Sequence, residues 1–457
     1  MAATVELGWL LTLPQADGAW RWPCLVGALG THAWLVVSER RRPTIDPRWL
    51  MWAAVLIAMA AVAIPPQGSH DVWSYAMYGR IVAAHHANPY THWPALFPAD
   101  PMSRHVDVVW RHTPSVYGPV FNAVSAAGAL VYRASPLRAH LFYQLLSAGA
   151  YLGSVALLVR RRLAPWRIAL IALAPVVIAA VNGAHNDVLV GFGVLAGLVL
   201  VNDRKWGSAG AVLGVATAVK LLGGPVAAGV VVALLLQRQW RAAATLGGSF
   251  TAVVAGCYLA AGGTRALQPL NHASEQLSRG SIMSGLHWFV AARHRLGSLP
   301  FLVNPAQRAQ VATIAAAVIF LAVVWLTRRR PQPVELGVVA LLAYLLAGPY
   351  ILPWYAAAVV PALALVDRRT AWIGWSDAAV LQLGYVAATR DEFKLIPGSM
   401  MSTRLCAAGE LVLIGLLVAA AVTARRHTRA PDAVTVPPQK TKEISPACES
   451  RTVGVGR

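Results

Sequence analysis

The stretch RAQVATIAAAVIFLAVVWLTRRR, residues 308–330, shows the pattern that decides the fold: an apolar run that ends abruptly at three arginines. A bilayer core about 30 Å thick takes about 20 residues of α-helix, and the apolar part of this stretch, 308–327, has that length. Similar runs recur along the 457 residues, of which 57% are hydrophobic and only 13% are charged. Soluble domains carry about 25% charged residues. The sequence therefore predicts an all-α polytopic membrane protein.

Hydropathy alone predicts a bundle of about 11–13 transmembrane helices. The candidate spans are 23–38, 49–65, 140–159, 167–181, 188–201, 207–220, 222–236, 243–262, 308–327, 334–347, 353–366, 371–387 and 404–424. If each span crosses once, basic clusters such as Arg160–Arg162 and Arg328–Arg330 all fall on one side, which the positive-inside rule assigns to the cytoplasm. These clusters contribute much of the positive charge behind the net charge of +20. Nucleic acid, which would need a basic patch on a soluble face, is not expected as a partner.

Two long loops, 66–113 and 263–306, fall on the opposite, outer side of this scheme. The segment 114–133 is apolar enough to cross, but a crossing there would place the later arginine clusters outside. We therefore expect it to dip partway and return, or to lie at the membrane interface. Residues 1–424 form the predicted transmembrane catalytic domain, and the polar residues 425–457 predict a disordered cytoplasmic tail.

The first outer loop carries a carboxylate, Asp71, immediately after a span. An aspartate at the membrane boundary costs free energy unless it is solvated or used. The spacing of apolar residues from Asp71 to about Ala84 predicts an amphipathic helix on the membrane surface, with Trp73, Tyr75 and Tyr78 at headgroup depth. In the alternative interpretation, Asp71 only caps this helix.

Three motifs resemble one enzyme family. HDVWSYAMYGR (70–80), followed by NPY and then WRHTPSVYGP (110–119), resembles the signature region of bacterial polyprenol-phosphate-mannose-dependent mannosyltransferases of the GT-C class. NGAHNDVLVGF (182–192) is similar to the G-x-HND-x-L segment of those enzymes. PYILPWYAAAVVPALAL (349–365) is similar to their late P-W-Y helix, which is generic for GT-C membrane enzymes.

The resemblance implies a GT-C-like bundle in the plasma membrane with an outward active site beneath the first long loop. It further implies a polyprenyl-phosphate sugar donor and a loop aspartate as general base, which corresponds to Asp71. The chemistry agrees, since inverting transfer to a hydroxyl needs one base near the acceptor O–H. The acceptor is expected to be lipid-linked or a glycan, and membrane lipids surround the chain.

Outward arginines are candidates for neutralising the phosphate leaving group, because the positive-inside rule would keep them off this side and a guanidinium grips phosphate with two hydrogen bonds. The outer loops offer Arg80, Arg104, Arg111, Arg279, Arg293 and Arg390, and of these Arg80, Arg111 and Arg279 are the candidate site residues. The other candidate substrate-binding residues are Tyr75, Tyr117, His185, Asn186, Asp187 and His287. Alternatively, Asp187 caps the next helix, Tyr117 belongs to a turn that shapes the site, and Arg279 is an ordinary exposed loop arginine.

No metal site or cofactor is expected from the sequence. His85, His86 and His92 lack a carboxylate at ligand spacing. The chain also has neither the DxD pair that holds the metal of a nucleotide sugar nor a glycine-rich phosphate loop. A lipid-linked donor is therefore favoured over a nucleotide sugar.

The leading functional hypothesis is transfer of mannose from a polyprenyl phosphate on the outer face. A related alternative is transfer of another lipid-linked sugar, such as arabinose. A transporter or flippase is the alternative from another class, and it would place charges near the bilayer midplane. Lys220, between two short apolar runs, is the residue that favours transport, although it could also snorkel or meet the donor phosphate.

The predicted topology is testable by cysteine labelling. Single cysteines at His92, Arg279 and Phe393, introduced after the native cysteines are removed, should react with an impermeant maleimide in intact cells. Cysteines at Arg161, at Arg329 and in the tail should react only after permeabilisation, because the basic side stays in the cytoplasm. Labelling at Arg161 but not at His92 would reverse the orientation.

Overall fold

The computed structural model describes residues 21–270, 277–278, 280–291, 302–328, 331–388 and 398–426. Within these ranges the chain forms sixteen α-helices and no strand, which confirms the predicted all-α architecture. The helices are α1 Arg21–Arg41, α2 Pro47–Ala63, α3 Asp71–Ala83, α4 Pro119–Tyr132, α5 Pro136–Arg160, α6 Pro165–Ala172, α7 Pro175–Asn182, α8 Asp187–Asn202, α9 Trp206–Val219, α10 Gly224–Leu236, α11 Trp240–Ala260, α12 Ile282–Ala291, α13 Pro305–Thr327, α14 Pro333–Ala347, α15 Arg368–Ala388 and α16 Gly398–Arg426. The predicted tail beyond residue 426 lies outside the described residues.

Local sequence explains where many of these helices begin. Proline is tolerated at the first helical position, where its missing N–H would have no partner in the helix. Seven of the described helices begin at a proline: Pro47, Pro119, Pro136, Pro165, Pro175, Pro305 and Pro333. Side chains just before three of them cap the first turn, since Asp46, Ser135 and Asn304 accept hydrogen bonds from backbone N–H groups.

The chain is a multi-pass membrane protein. Five described segments are long and apolar enough to cross a bilayer by length and composition: Pro136–Arg160, Pro165–Asn182, Trp240–Ala260, Pro305–Thr327 and Cys406–Thr423. Shorter apolar helices occupy most of the other predicted spans. The helical path of the chain therefore follows the hydropathy pattern closely.

The predicted span 353–366 differs from the rest. It consists of two successive 3-10 helices, Pro353–Ala358 and Val360–Leu365. Pro361 has no N–H to donate to a carbonyl one turn earlier, so an uninterrupted α-helix would lose a hydrogen bond there. From Ala356 to Ala364 the segment is completely buried, which places it inside the bundle.

Helix α3 is present as predicted, but it is not amphipathic. None of its residues is exposed, and Tyr75 and Tyr78 each retain only 1% of their surface. The hydroxyl group of Tyr78 has a hydrogen-bond partner inside the protein, since it donates to the Thr113 carbonyl at 2.8 Å. These tyrosines are therefore buried in protein, and their predicted position at headgroup depth is wrong. The spacing of apolar residues is the same for a helix face that meets protein as for one that meets lipid.

The ambiguous segment 114–133 contains helix α4. It is a single uninterrupted helix of 14 residues and one of the shorter apolar helices of the chain. The dip and return of 114–133 and its interfacial position both stay predictions. Helix α4 packs closely on α3, where the Tyr132 hydroxyl donates to the Ala76 carbonyl at 3.0 Å.

A buried carboxylate holds the rest of the first long loop onto α3. Arg80 Nε donates to both oxygens of Asp100, at 2.9 and 2.8 Å, and His85 Nε2 lies 2.7 Å from Asp100 Oδ2. Arg80 Nη1 also donates to the Arg133 carbonyl at the end of α4. One arginine therefore joins the loop, α3 and α4.

The close contact between α3 and α4 should depend on Gly79. A Cβ there would collide with the Ser125 carbonyl and lie 2.7 Å from Tyr132 Oη. Gly79→Ala should therefore destabilise the protein by about 1–3 kcal/mol, because the helices must separate. The measurement is the thermal unfolding midpoint of purified protein in detergent.

Gly149→Ala in α5 is the matched control, because a Cβ at Gly149 would have no atom within 4 Å. Alanine is the better helix former by up to about 1 kcal/mol, so this control should keep or raise the midpoint. Equal midpoints for both variants would mean that α3 and α4 do not pack as described.

Candidate active site

Asp71 is the first residue of α3, and its side chain points to the second motif. The residue before it, His70, occupies the N-cap position, and no side chain caps the helix. The Asp71 N–H donates to Ser69 Oγ at 3.1 Å, while its carboxylate Oδ2 lies 3.5 Å from His185 Nδ1. The carboxylate of Asp71 therefore does not cap the helix, and it keeps a side-chain exposure of 20%.

The loop that leads into Asp71 is fixed by the second motif. Asn182 Oδ1 accepts the N–H of Gln67 at 3.1 Å, and Asn182 Nδ2 donates to the Ile64 carbonyl at 3.0 Å. From α15, the Tyr385 hydroxyl donates to the Gly68 carbonyl at 2.7 Å. Two motifs that are separate in sequence thus form one unit around Asp71.

His185 is held in place by an unusual turn. Ala184 has a φ of +59°, a left-handed conformation that non-glycine residues seldom adopt and that is often found at functional sites. A Cβ at Gly183 would lie 2.7 Å from His185 Cδ2, so glycine leaves room for the imidazole. The ring stacks on Trp354 with centroids 4.1 Å apart and planes at 12°.

A buried ion pair lies beside this contact. Lys220 Nζ lies 2.8 and 3.0 Å from the two oxygens of Asp187, whose side chain is fully buried. The same ammonium sits 3.8 Å from the centroid of the Tyr355 ring, a cation–π contact. Helix α8 begins at Asp187, and no side chain caps it, so Asp187 serves the ion pair and not the cap.

These groups form one electrostatic cluster. Burial by itself would raise the pKa of Asp71, but the hydrogen bond and charge of His185, the charge of Lys220 and the Ser69 hydroxyl outweigh it and lower that pKa. Burial, followed by the charge of Asp71, raises the pKa of Tyr117. The positive charge of Lys220 is thus one of the causes that favour the ionised form of Asp71.

Other predicted residues line the same cluster. The rings of Tyr75 and Tyr117 meet edge to face with centroids 4.8 Å apart. The Gly118 N–H donates to the Val219 carbonyl at 3.0 Å, which joins the turn after Tyr117 to the residue before Lys220. Asn186 is completely buried, and neither of its side-chain amide atoms has a hydrogen-bond partner among the described residues.

Two of the predicted arginines, Arg80 and Arg111, do not join the cluster. Arg80 lies nine residues after Asp71, about 13 Å along α3 and on its opposite side, and it is engaged by Asp100. Arg111 donates to carbonyls of its own loop, from Nε to Val106 at 2.9 Å and from Nη2 to Arg104 at 3.0 Å. Both stabilise the outer loop. Arg279 lies outside the described residues, and His287 lies half-buried on α12.

Several residues of the cluster were not predicted from the sequence as site residues. The sequence presented Lys220 as a feature that favours transport, as a snorkelling residue or as a contact for the donor phosphate, and its partner Asp187 was not predicted. The third motif appeared generic, yet it supplies Trp354 and Tyr355, which cover His185 and Lys220. Within the described part of the chain, no group of three or more His, Cys, Asp or Glu side chains could hold a metal ion.

Comparison with known sequences gives one family. The model of the N-terminal domain of alpha-(1->6)-mannopyranosyltransferases matches residues 5–237, just over half of the chain. The chain belongs to this family. It is therefore a membrane glycosyltransferase, and the matched region contains Asp71, His185, Asp187 and Lys220. A search of curated protein sequences gives no significant match.

Among solved structures, the chain is similar to ArnT from Cupriavidus metallidurans, whose crystal structure is described as bound to undecaprenyl phosphate. The two share 16% sequence identity and a TM-score of 0.43. The alignment covers 82% of this chain and 77% of the other.

Substitutions in the Lys220–Asp187 pair should separate its effect on stability from its effect on sugar transfer. Lys220→Met leaves the Asp187 carboxylate buried without its cation, which should cost about 3–5 kcal/mol of stability. The double variant Lys220→Met/Asp187→Asn removes both charges and should recover most of that loss. Sugar transfer should stay lost in both, since the ammonium is missing. Thermal unfolding and a transfer assay on the same preparations distinguish these effects.

Arg161→Met provides the control, because the Arg161–Asp203 pair is about one-quarter exposed. Its loss should cost less than about 1 kcal/mol and leave transfer intact. Recovery of transfer in the double variant would mean that the Lys220–Asp187 pair is structural only.

Proposed function

We propose that the protein is an inverting glycosyltransferase that moves mannose from a polyprenyl-phosphate donor to a hydroxyl of a lipid- or glycan-linked acceptor. The reaction takes place at the outer face of the plasma membrane. Family membership supports sugar transfer, and the description of that family favours mannose over arabinose. The observation that carries the proposal is the partly open Asp71 carboxylate, 3.5 Å from His185 and close to the ammonium of Lys220.

In this mechanism Asp71 acts as the general base. As the acceptor oxygen attacks the anomeric carbon, Asp71 takes the proton of that hydroxyl, and the bond from the anomeric carbon to the phosphate oxygen breaks. The phosphate leaves with the electron pair, and attack from the opposite face inverts the configuration. The lowered pKa keeps Asp71 deprotonated before the acceptor binds.

Lys220 takes the place of Arg80 and Arg111 as the cation for the leaving phosphate. Its side chain is 14% exposed, which leaves the ammonium within reach of a bound anion while Asp187 holds it in position. A fixed positive charge in a site with little water stabilises the charge that develops on the phosphate oxygen. His185, between Asp71 and Trp354, supplies a second polar group on the same side. For Arg279 the role in phosphate binding stays a prediction.

The position of Lys220 also weighs against transport. A transporter would need charged groups within the span of its helices. Lys220 instead follows the last residue of α9, and Asp187 is the first residue of α8. The charged groups thus lie at helix ends, where a lipid-linked donor would present its phosphate at the membrane boundary.

Replacement of Asp71 tests the proposal directly. Asp71→Asn preserves size but cannot accept the proton, so the variant should fold normally and lose nearly all transfer. Asp71→Glu should recover little activity, since moving the base by about 1 Å can cost about 100-fold in rate. The assay is transfer of radiolabelled mannose from polyprenyl-phosphate mannose in membranes, at matched expression.

Asp203→Asn, in the exposed pair with Arg161, is the control and should keep wild-type transfer. Turnover above about a tenth of wild type in Asp71→Asn would remove Asp71 from the role of base, which is normally worth about 100-fold or more. Asp187 would then be the next candidate.

A further inference from the structure

Two buried polar side chains on α5 contact both segments that form the catalytic cluster. Gln144 and Ser147 are three residues apart in this helix, so they project from the same side of it. Gln144 is completely buried, and Ser147 is almost completely buried. Neither residue lies in one of the three motifs that resemble the family, and neither takes part in the proposed proton transfer.

Gln144 is attached to the segment that leads into Asp71. Its Nε2 lies 2.8 Å from the Ile64 carbonyl oxygen, 3.2 Å from that of Ala61 and 2.9 Å from that of Asn182. In a continuing helix the Ala61 carbonyl would accept an N–H four residues later, but the chain has a proline there and no N–H to offer. The amide of Gln144 therefore joins the end of α2 to the end of α7.

Ser147 is attached to the segment that carries His185. Its hydroxyl donates to the His185 carbonyl at 3.2 Å. A serine within a helix can donate to the carbonyl four residues earlier in the same helix, as Ser154 does to Ala150 at 2.9 Å. The hydroxyl of Ser147 instead donates to another segment, so α5 also holds the backbone of the residue whose imidazole faces the base.

The contact between Asp71 and His185 is sensitive to both attachments. Asp71 Oδ2 lies 3.5 Å from His185 Nδ1, at the upper limit of a hydrogen bond, so a small displacement removes the contact. The two residues belong to different segments, and each segment is bound to the same face of α5. Only about 4.5 Å of helix axis separates the two points of attachment, which makes α5 a short, rigid link between them.

We propose that Gln144 and Ser147 are positioning residues for the catalytic base. Helix α5 holds the loop before Asp71 through Gln144 and the backbone of His185 through Ser147, and it thereby sets the distance between the two side chains. This inference rests on the proposed function, in which Asp71 is the base. It assigns no direct contact with the substrate to either residue.

Satisfying the end of α2 does not by itself require Gln144. Asn182 Nδ2 already lies 3.0 Å from the carbonyl oxygens of both Ala61 and Ile64. The contact that only Gln144 supplies is the one to the main-chain carbonyl of Asn182, which ties α7 to α2 through α5. Its particular contribution is therefore to the relative position of two segments.

Substitution of either residue should lower kcat and leave the donor KM nearly unchanged. In Gln144→Met and Ser147→Ala, kcat should fall about tenfold, since a displaced base reacts more slowly. The donor KM should stay within about twofold, because the proposed phosphate contact, Lys220, is unchanged. Ser147→Thr keeps the hydroxyl and should keep most of kcat. The measurement is the initial rate of transfer of radiolabelled mannose from polyprenyl-phosphate mannose in membranes at matched expression.

The pH dependence of kcat distinguishes positioning from a merely structural role. Burial acts to raise the pKa of Asp71, and the hydrogen bond and charge of His185 are the largest causes that lower it. Moving His185 away therefore raises this pKa, so the acidic limb of the kcat profile should move to higher pH. A structural defect would instead lower kcat by the same factor at every pH.

The shift of the acidic limb would come from displacement, because the substitutions change no charge. Gln144, Ser147 and their replacements are all neutral. The other titratable or charged groups near Asp71 keep their identity in these variants, namely Lys220 with its partners Asp187 and Tyr355, and the tyrosines Tyr75, Tyr78, Tyr117 and Tyr350.

Amide hydrogen exchange in purified protein tests the two attachments independently of sugar transfer. Gln144→Met should speed exchange in residues 64–71, and Ser147→Ala should speed it in residues 183–188, because each segment loses a contact that holds it. Ser154→Ala is the matched control, since Ser154 lies on the same face of α5 and is as buried as Ser147. The control should change neither exchange nor kcat.

Wild-type kcat in both Gln144→Met and Ser147→Ala would overturn the inference. A fall in kcat that is the same at every pH, or that occurs equally in Ser154→Ala, would also overturn it and leave these residues a structural role. The proposed function fails on a different result, which is wild-type transfer by Asp71→Asn in the same assay. Exchange would then still show whether Gln144 and Ser147 hold the two segments.

Discussion

The buried ion pair between Lys220 and Asp187 constrains everything near it. Each charge sits at the helix end that favours it, Asp187 at the start of α8 and Lys220 at the end of α9. Neither can move alone, because a buried charge without its partner costs several kcal/mol. Since Asp187 is fixed, so is His185 two residues earlier. The consecutive residues Trp354 and Tyr355 then cover one basic group each, His185 and Lys220.

The same constraint bears on the proposed mechanism, in which Asp71 acts as base near an anionic leaving group. Asp71 and Asp187 place two negative charges in a small volume, and Lys220 lies close enough to both to offset them. Asp187 holds the ammonium on the side away from solvent, whereas Asp71 stays partly open. In the proposed mechanism the base is therefore the partly open carboxylate, Asp71, whereas the buried carboxylate, Asp187, holds the cation Lys220.

Much of the fold could be predicted from the sequence, because the lengths of apolar runs and the prolines at helix starts are local signals. The association of Asp71 with the 182–192 motif followed from the family resemblance. Other features depend on residues far apart in the chain. The apolar face of α3 is the same whether it meets lipid or protein, so its burial was not predictable. Arg80 seemed available for phosphate because its partner, Asp100, lies 20 residues away in a loop. Lys220 carried no motif that pointed to Asp187.

The two 3-10 helices between Pro353 and Leu365 have a consequence for how this protein can evolve. A helix at the lipid boundary has one face on which apolar residues exchange at little cost. This segment has none, because it is enclosed by other helices and its side chains from Ala356 to Ala364 have almost no free surface. Any enlargement would push on the wall that supports His185 and Lys220. Larger side chains are therefore poorly tolerated in this stretch, which lies beyond the region 5–237 that the family model matches.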